Sequence, residues 1–154
     1  MPLALALDRF LPYRLALAAG LVSEAVAAAY APYGLSTAEW RVIAHVADRP
    51  GLTQQEIATL SRMDKVMVSR ATIALEGRGL VARTTDPGDR RSRRLALTPA
   101  GRALFTRIAP AALAIEAEVA AALSTAERAQ LLAMLARLEA AALAASGEPG
   151  RAAA

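Results

Sequence analysis

Between Thr53 and Gly101 the chain spells, in order, a helix start, a turn, a second helix, a strand, an arginine-crowded turn, a second strand and another helix start. Few folds accommodate that succession. Thr53-Gln54-Gln55-Glu56 forms a capping box, and the short helix it opens is expected to face Ile57, Ala58 and Leu60 inward. Asp64 is a good N-cap for the next helix, which runs to about Glu76 and stops at Gly77 and Gly79. Two strand-like segments, Val81 to Thr85 and Leu95 to Thr98, then flank Asp86-Pro87-Gly88-Asp89-Arg90-Arg91-Ser92-Arg93-Arg94. The acid, proline and glycine of that segment are strong turn chemistry, so its four arginines stand on a defined tip. A helix pair followed by a basic hairpin is built to grip DNA: the helix enters the major groove, and the hairpin reaches the backbone or the minor groove beside it.

The second helix of the pair supports this face by face. With Val68 at the centre of the buried side, Ala71, Thr72 and Leu75 fall close to it at about 100° per residue. The opposite side collects Val66, Ser69, Arg70, Ile73 and Gly77, with Lys65 at its shoulder. An ordinary solvated face would carry more charge. A face pressed into a major groove suits this mixture, because arginine pairs bidentately with guanine, serine bonds a base or phosphate, and valine or isoleucine touches a thymine methyl. The plainer alternative is that Val66 and Ile73 pack on another part of the protein.

Charge is concentrated where the grip is expected. The 154-residue chain has a net charge of +4, whereas Arg62 to Arg107 holds eleven cations against four acids, an excess of +7. Such a distribution favours a polyanion, without itself dictating a fold. The absence of cysteine excludes disulfides, thiolate metal sites and thiol sensing, and a lone histidine, His45, excludes a multi-histidine metal site within one chain. No metal, cofactor or catalytic residue is expected. His45 lacks a nucleophile-and-acid partnership, and Gly77-x-Gly79 is a helix stop and not a phosphate loop, so an enzyme is not indicated. The opening Leu3-Ala4-Leu5-Ala6-Leu7 is interrupted by Asp8, Arg9 and Arg14, unlike a signal peptide. No run is expected to reach the roughly 20 apolar residues of a membrane span, which makes the cytoplasm the default and excludes a membrane partner.

The flanks are helical. Residues from about Leu5 to Tyr30 favour helix, with Pro12 expected to kink or restart it and Pro32 and Gly34 to end it. Ser36-Thr37-Ala38-Glu39 and Ser124-Thr125-Ala126-Glu127 are further capping boxes. Thr98-Pro99 starts a long helix that Ala109-Pro110 is expected to bend, and the tail from Ser146 is expected to be loose. More than half the residues are apolar, but alanine supplies much of that share and aromatics are scarce, so the helices need a partner to bury enough surface.

Three segments together resemble the MarR family of bacterial winged-helix regulators. They are Asp64-Lys65-Val66-Met67-Val68-Ser69-Arg70; Leu75 through Arg83 with Asp86-Pro87-Gly88-Asp89-Arg90-Arg91; and Leu95-Ala96-Leu97-Thr98-Pro99-Ala100-Gly101. The Asp-x-Arg of the hairpin and the Leu-Thr-x-x-Gly after it are specific in combination, and the likeness covers about residues 8–145. It implies a mainly α fold with a small β-hairpin wing. One domain would span 1–145, with a winged helix-turn-helix lobe over about 36–100, dimerisation helices over about 5–32 and 101–145, and a flexible tail over 146–154.

The resemblance also implies a homodimer on a pseudo-palindromic operator, usually repressing transcription and often released by a small aromatic or anionic ligand. A ligand-independent or architectural DNA-binding protein is the alternative, and a helical module whose basic hairpin binds an acidic protein is a more distant one. The expected DNA-binding residues are Lys65, Val66, Ser69, Arg70 and Ile73 on the helix and Asp89, Arg90, Arg91 and Arg93 on the wing. Arg91 matches the family's minor-groove residue, and Gly88 departs from the charged residue many relatives carry there. Arg91→Ala is expected to weaken operator binding at fixed salt by about tenfold or more in a gel-shift titration. Tyr13, Arg14, Trp40 and His45 lie where the family's ligand cleft would form, with Arg14 suited to a carboxylate and Trp40 to a ring. Trp40 is equally a core anchor, His45 an ordinary helix residue and Arg14 a bridge across a dimer.

Overall fold

Side chains that bond to nearby backbone set most of the helix starts. In the computed structural model, which describes residues 5–85 and 93–147, Ser36, Thr53 and Ser124 each accept the N–H three residues on, and Glu39, Glu56 and Glu127 return the bond. The elements are α1 (Leu11–Tyr30), a single 3-10 turn (Ala31–Tyr33), α2 (Thr37–Asp48), α3 (Gln54–Ser61), α4 (Lys65–Gly77), β1 (Val81–Thr85), β2 (Arg93–Leu97), α5 (Pro99–Ala120) and α6 (Thr125–Ala145). Asp64 Oδ1 accepts from the N–H of Val66 at 2.8 Å and of Met67 at 3.3 Å, covering two of the N–H groups that the start of α4 leaves open. Asp64→Ala should lower stability by about 1 kcal/mol, seen as a drop of a few degrees in Tm.

The chain divides into two compact units, Met1–Glu116 and Ala117–Ala154. The core of the first gathers Val42, Ile43 and Val46 of α2, Ile57 of α3, Val68 and Leu75 of α4, Leu95 of β2 and Ile108 of α5, each almost wholly buried. The α4 face centred on Val68 is buried as expected, Ala71 and Thr72 included, and the buried Thr72 hydroxyl donates to the Val68 carbonyl at 2.8 Å. β1 and β2 pair antiparallel, with Val81 opposite Leu97 and Thr85 opposite Arg93.

Three local expectations are revised. Leu60 does not face inward: it is 47% exposed, because it lies about 160° around α3 from the buried Ala58; after the left-handed Arg62 (φ 55°), Met63 is buried. α1 starts at Leu11 and not Leu5, with Pro12 in the first turn, where its missing N–H costs nothing. The expectation that no run reaches membrane-spanning length also fails. Leu11–Tyr33 is long and apolar enough to cross a membrane by length and composition, with a mean hydropathy of 1.5, because alanine and leucine outweigh Arg14 and Glu24. Its last turn belongs to the core through Ala29 and Tyr30, while Leu11, Tyr13, Leu17, Leu21 and Val22 stay exposed. α5 continues through Pro110.

In the second unit, α6 buries none of its residues, and Leu131, Leu132, Met134 and Leu138 are exposed. Its start is secured by Ser124, whose hydroxyl and N–H both donate to Glu127 and hold that carboxyl below its usual range. A carboxyl lowered in the folded state keeps its contribution above its ordinary value and loses it as pH falls through the lowered one, so this cap is intact at neutral pH.

Candidate nucleic-acid interface

α4 is held from behind and open in front. Its buried face rests on α2 and α3, which leaves Val66 56% and Ile73 59% exposed. Lys65 and Arg70 are exposed and Ser69 is half-buried. Val66 and Ile73 therefore do not pack on another part of the described chain. Met67, 49% exposed, adds an apolar group beside Val66 at the start of α4.

The hairpin is tied to this helix and to the loop before α3. Arg83 Nε on β1 meets Glu76 Oε1 on α4 at 2.9 Å. β2 pairs on its other side with the loop: Gly51 N–H donates to the Leu95 carbonyl at 3.0 Å, Leu95 N–H to the Leu52 carbonyl at 2.8 Å, and Thr53 bridges to Arg94. Arg94 adds a bond from Nη1 to the Gly51 carbonyl at 2.8 Å. Arg93 and Arg94 are thus strand residues and not turn residues. Several of the eleven clustered cations serve the fold: Arg78 donates to the carbonyls of Tyr33 (2.8 Å) and Gly34 (3.0 Å), and Arg102 to that of Leu97 (2.7 Å).

Behind the hairpin, the Leu-Thr-x-x-Gly pattern is a packing device. Thr98 Oγ1 donates to the Gly79 carbonyl at 2.6 Å and accepts the Gly101 N–H at 3.0 Å. Gly101 is buried directly against Leu80, where a β-carbon would overlap the carbonyl oxygen and stand 2.9 Å from its carbon. The first turn of α5 can therefore sit on the turn that links α4 to β1 only because residue 101 has no side chain.

Between α3, α4 and the hairpin lies a concavity of about 480 Å³, lined by Thr53 and Gln54, by Lys65, and by Arg83 and Arg93, with no acid among the described residues that line it. It joins the start of α4 to the base of the arginine hairpin. Of the expected wing residues, Asp89, Arg90 and Arg91 lie outside the described residues; Arg93 is exposed at the start of β2.

The expected ligand residues divide. Tyr13 and Arg14 are exposed in the first turn of α1. Trp40 is half-buried and stacked between Tyr30 (centroids 5.5 Å apart) and Phe105 (5.8 Å), both at 17° between planes, so its ring is part of an aromatic column. Phe105, far from Trp40 in sequence, was not anticipated there. His45 is half-buried, and its Nδ1 donates to the Arg41 carbonyl at 2.7 Å. Arg41 in turn donates to Ser23 Oγ on α1 at 3.4 Å. Among the described residues, no group of three or more His, Asp or Glu side chains could hold a metal ion.

A sequence model of the MarR family matches residues 33–92. A MarR-family transcriptional regulator from Silicibacter pomeroyi is 30% identical, with 86% of this chain and 90% of that one superposed at a TM-score of 0.75. The chain belongs to the MarR family. Its fold is accordingly a MarR winged helix, mostly helical with a two-stranded wing, and it is a transcriptional regulator of the MarR type. Two structures of the repressor CouR resemble this MarR protein: one bound to a 23-mer DNA duplex (36% identity, 90% and 99% covered, TM-score 0.75), and one from Rhodococcus jostii RHA1 bound to p-coumaroyl-CoA (28%, 86% and 94%, 0.76). A regulatory protein for the hcr operon of Thauera aromatica is 33% identical over 105 residues, which span 68% of this chain and 63% of that protein.

Proposed function

We propose that this MarR-family chain is a cytoplasmic repressor that binds a pseudo-palindromic operator as a homodimer and is released by a small aromatic or anionic effector. The observation that carries the DNA reading is the shared concavity, where Lys65 of the recognition helix and Arg93 of the wing line one space. It is supported by the exposed Val66, Arg70 and Ile73 on the front of α4, and by the DNA-bound CouR structure. In this reading Arg70 pairs with a base edge, Val66 and Ile73 meet methyl groups, and the wing arginines, Arg91 foremost, enter the adjacent minor groove.

The dimer reading rests on exposed apolar side chains. Leu11, Leu17 and Leu21 of α1 and Leu131, Leu132 and Leu138 of α6 are exposed apolar side chains that a second protomer would cover. In this reading a second protomer covers α1, and not lipid. Two protomers present their α4 helices about 34 Å apart, one DNA turn. For the effector, the relevant support is the p-coumaroyl-CoA complex of CouR and the half-buried aromatic column at Trp40, with His45 and Arg41 on the same helix and Tyr13 and Arg14 on α1. An effector of this kind acts by binding two dimer geometries unequally.

Footprinting on genomic DNA, paired with sedimentation, tests the proposal. A protected two-fold-related site bound by a dimer is expected, and the neighbouring genes then suggest aromatic acids or thioesters to try as effectors. A stable monomer at micromolar concentration contradicts the dimer, and protection without sequence preference leaves an architectural protein.

A further inference from the structure

The residue that ends α4 also holds the corner where α1 ends. The Arg78 N–H donates to the Ala74 carbonyl at 3.1 Å, so its main chain belongs to the last turn of α4. Its guanidinium reaches back 44 and 45 positions: Nη1 donates to the Gly34 carbonyl at 3.0 Å and Nη2 to the Tyr33 carbonyl at 2.8 Å. Those carbonyls close the 3-10 turn after α1, where a helix end leaves acceptors open and favours a cation. The corner itself is stiff. Gly34 turns in a left-handed conformation (φ 67°) with its N–H on the Ala31 carbonyl, Tyr30 is buried, and the Tyr30 hydroxyl donates to Thr37 Oγ1 at 3.0 Å. A planar fork on two successive carbonyls fixes direction as well as distance, which a single bond does not.

We propose that Arg78 is a positioning residue that sets the half-site spacing this protein reads, by fastening the end of α4 to the end of α1. The inference rests on the dimer reading above and deepens it. In that reading α1 is held by the partner protomer, and α4 is held by DNA. The separation of the two α4 helices then depends on how firmly each is fixed to its own α1. α4 rests on α2 and α3 through apolar side chains, and packed helices slide on one another by small shear steps. The Arg78 fork removes that slack. The bond from Arg41 to Ser23 Oγ ties α1 to α2 and reaches α4 only indirectly. Arg78 is itself exposed, so its removal opens no cavity in the core.

The test uses the full-length protein, the duplex recovered by footprinting, and derivatives with one base pair inserted or removed between the half-sites. Affinity is followed by fluorescence anisotropy over a salt series. Altered spacing should cost the wild type about tenfold or more and Arg78→Met less than about threefold. The same variant should bind the natural spacing about fivefold more weakly and melt within about 5 °C of the wild type. Its salt slope should be unchanged, because no phosphate contact is lost. Arg78→Lys keeps the charge without the fork, so its spacing discrimination should fall between the two, and it decides the matter if Arg78→Met melts too low to titrate. Equal weakening at every spacing makes Arg78 a stability contact and overturns the proposal. A salt slope lowered by about 0.9 per protomer overturns it too, as a phosphate contact, and full wild-type discrimination in Arg78→Lys does so by assigning the effect to charge alone. These results leave DNA binding by a dimer intact. Equal affinity of the wild type for every spacing sinks the dimer reading and the clasp together.

Discussion

Gly101→Ala is expected to destabilise the fold by about 3 kcal/mol, a loss of roughly 10 °C in Tm, and to prevent folding where the margin is smaller. The added methyl would collide with main chain, at the Leu80 carbonyl, and not with a side chain able to swing aside. The first turn of α5 would have to lift, taking with it the bonds Thr98 makes to Gly79 and Leu80 and the cap it supplies to Gly101. Those bonds join α5 to the turn between α4 and the wing, so DNA binding should fall with stability. Gly77→Ala is the control: nothing stands within 4 Å of its β-carbon, and it ends a helix where alanine is the better residue. Thermal melts should separate the two variants by several degrees. Equal behaviour contradicts the packing account of the Leu-Thr-x-x-Gly pattern.

Arg70→Ala is expected to produce the largest change in binding without a change in fold. Arg70 is exposed on the front of α4, so its removal should leave Tm nearly unaltered. A bidentate arginine–guanine pair is worth about 1–3 kcal/mol of discrimination, which is roughly 10-fold to 100-fold in affinity. The loss should be concentrated at one base pair in each half-site, with operators already altered at that position losing little more. Anisotropy titrations against a panel of single-base operator variants at one salt concentration would read this directly. Equal weakening on every operator makes Arg70 a phosphate contact only.

Local chemistry was legible in the sequence, and long-range chemistry was not. Ser36, Thr53, Asp64 and Ser124 announce their helices because each bonds backbone two or three residues away. The buried face of α4 follows from helical spacing around Val68. Charge density was a blunter guide. A count of arginines cannot distinguish a guanidinium meant for phosphate from one that holds a carbonyl: Arg78 reaches Gly34 across 44 positions and Arg94 reaches Gly51 across 43. Gln54 gives no such signal because it is uncharged, and only the fold shows its Nε2 buried without a hydrogen-bond partner. Leu60 was misplaced because it lies about 160° around α3 from the buried Ala58, at the edge of the inner face that Ile57 and Ala58 define.

The absence of cysteine makes one direct measurement clean. A single Val66→Cys substitution, on the exposed front of α4, can carry a short photoactivated cross-linker onto the footprinted duplex. The account predicts cross-links to major-groove base edges at two symmetry-related positions about one helical turn apart. Cross-links scattered along the backbone, or none within a protected site, would contradict the placement of this helix in the groove.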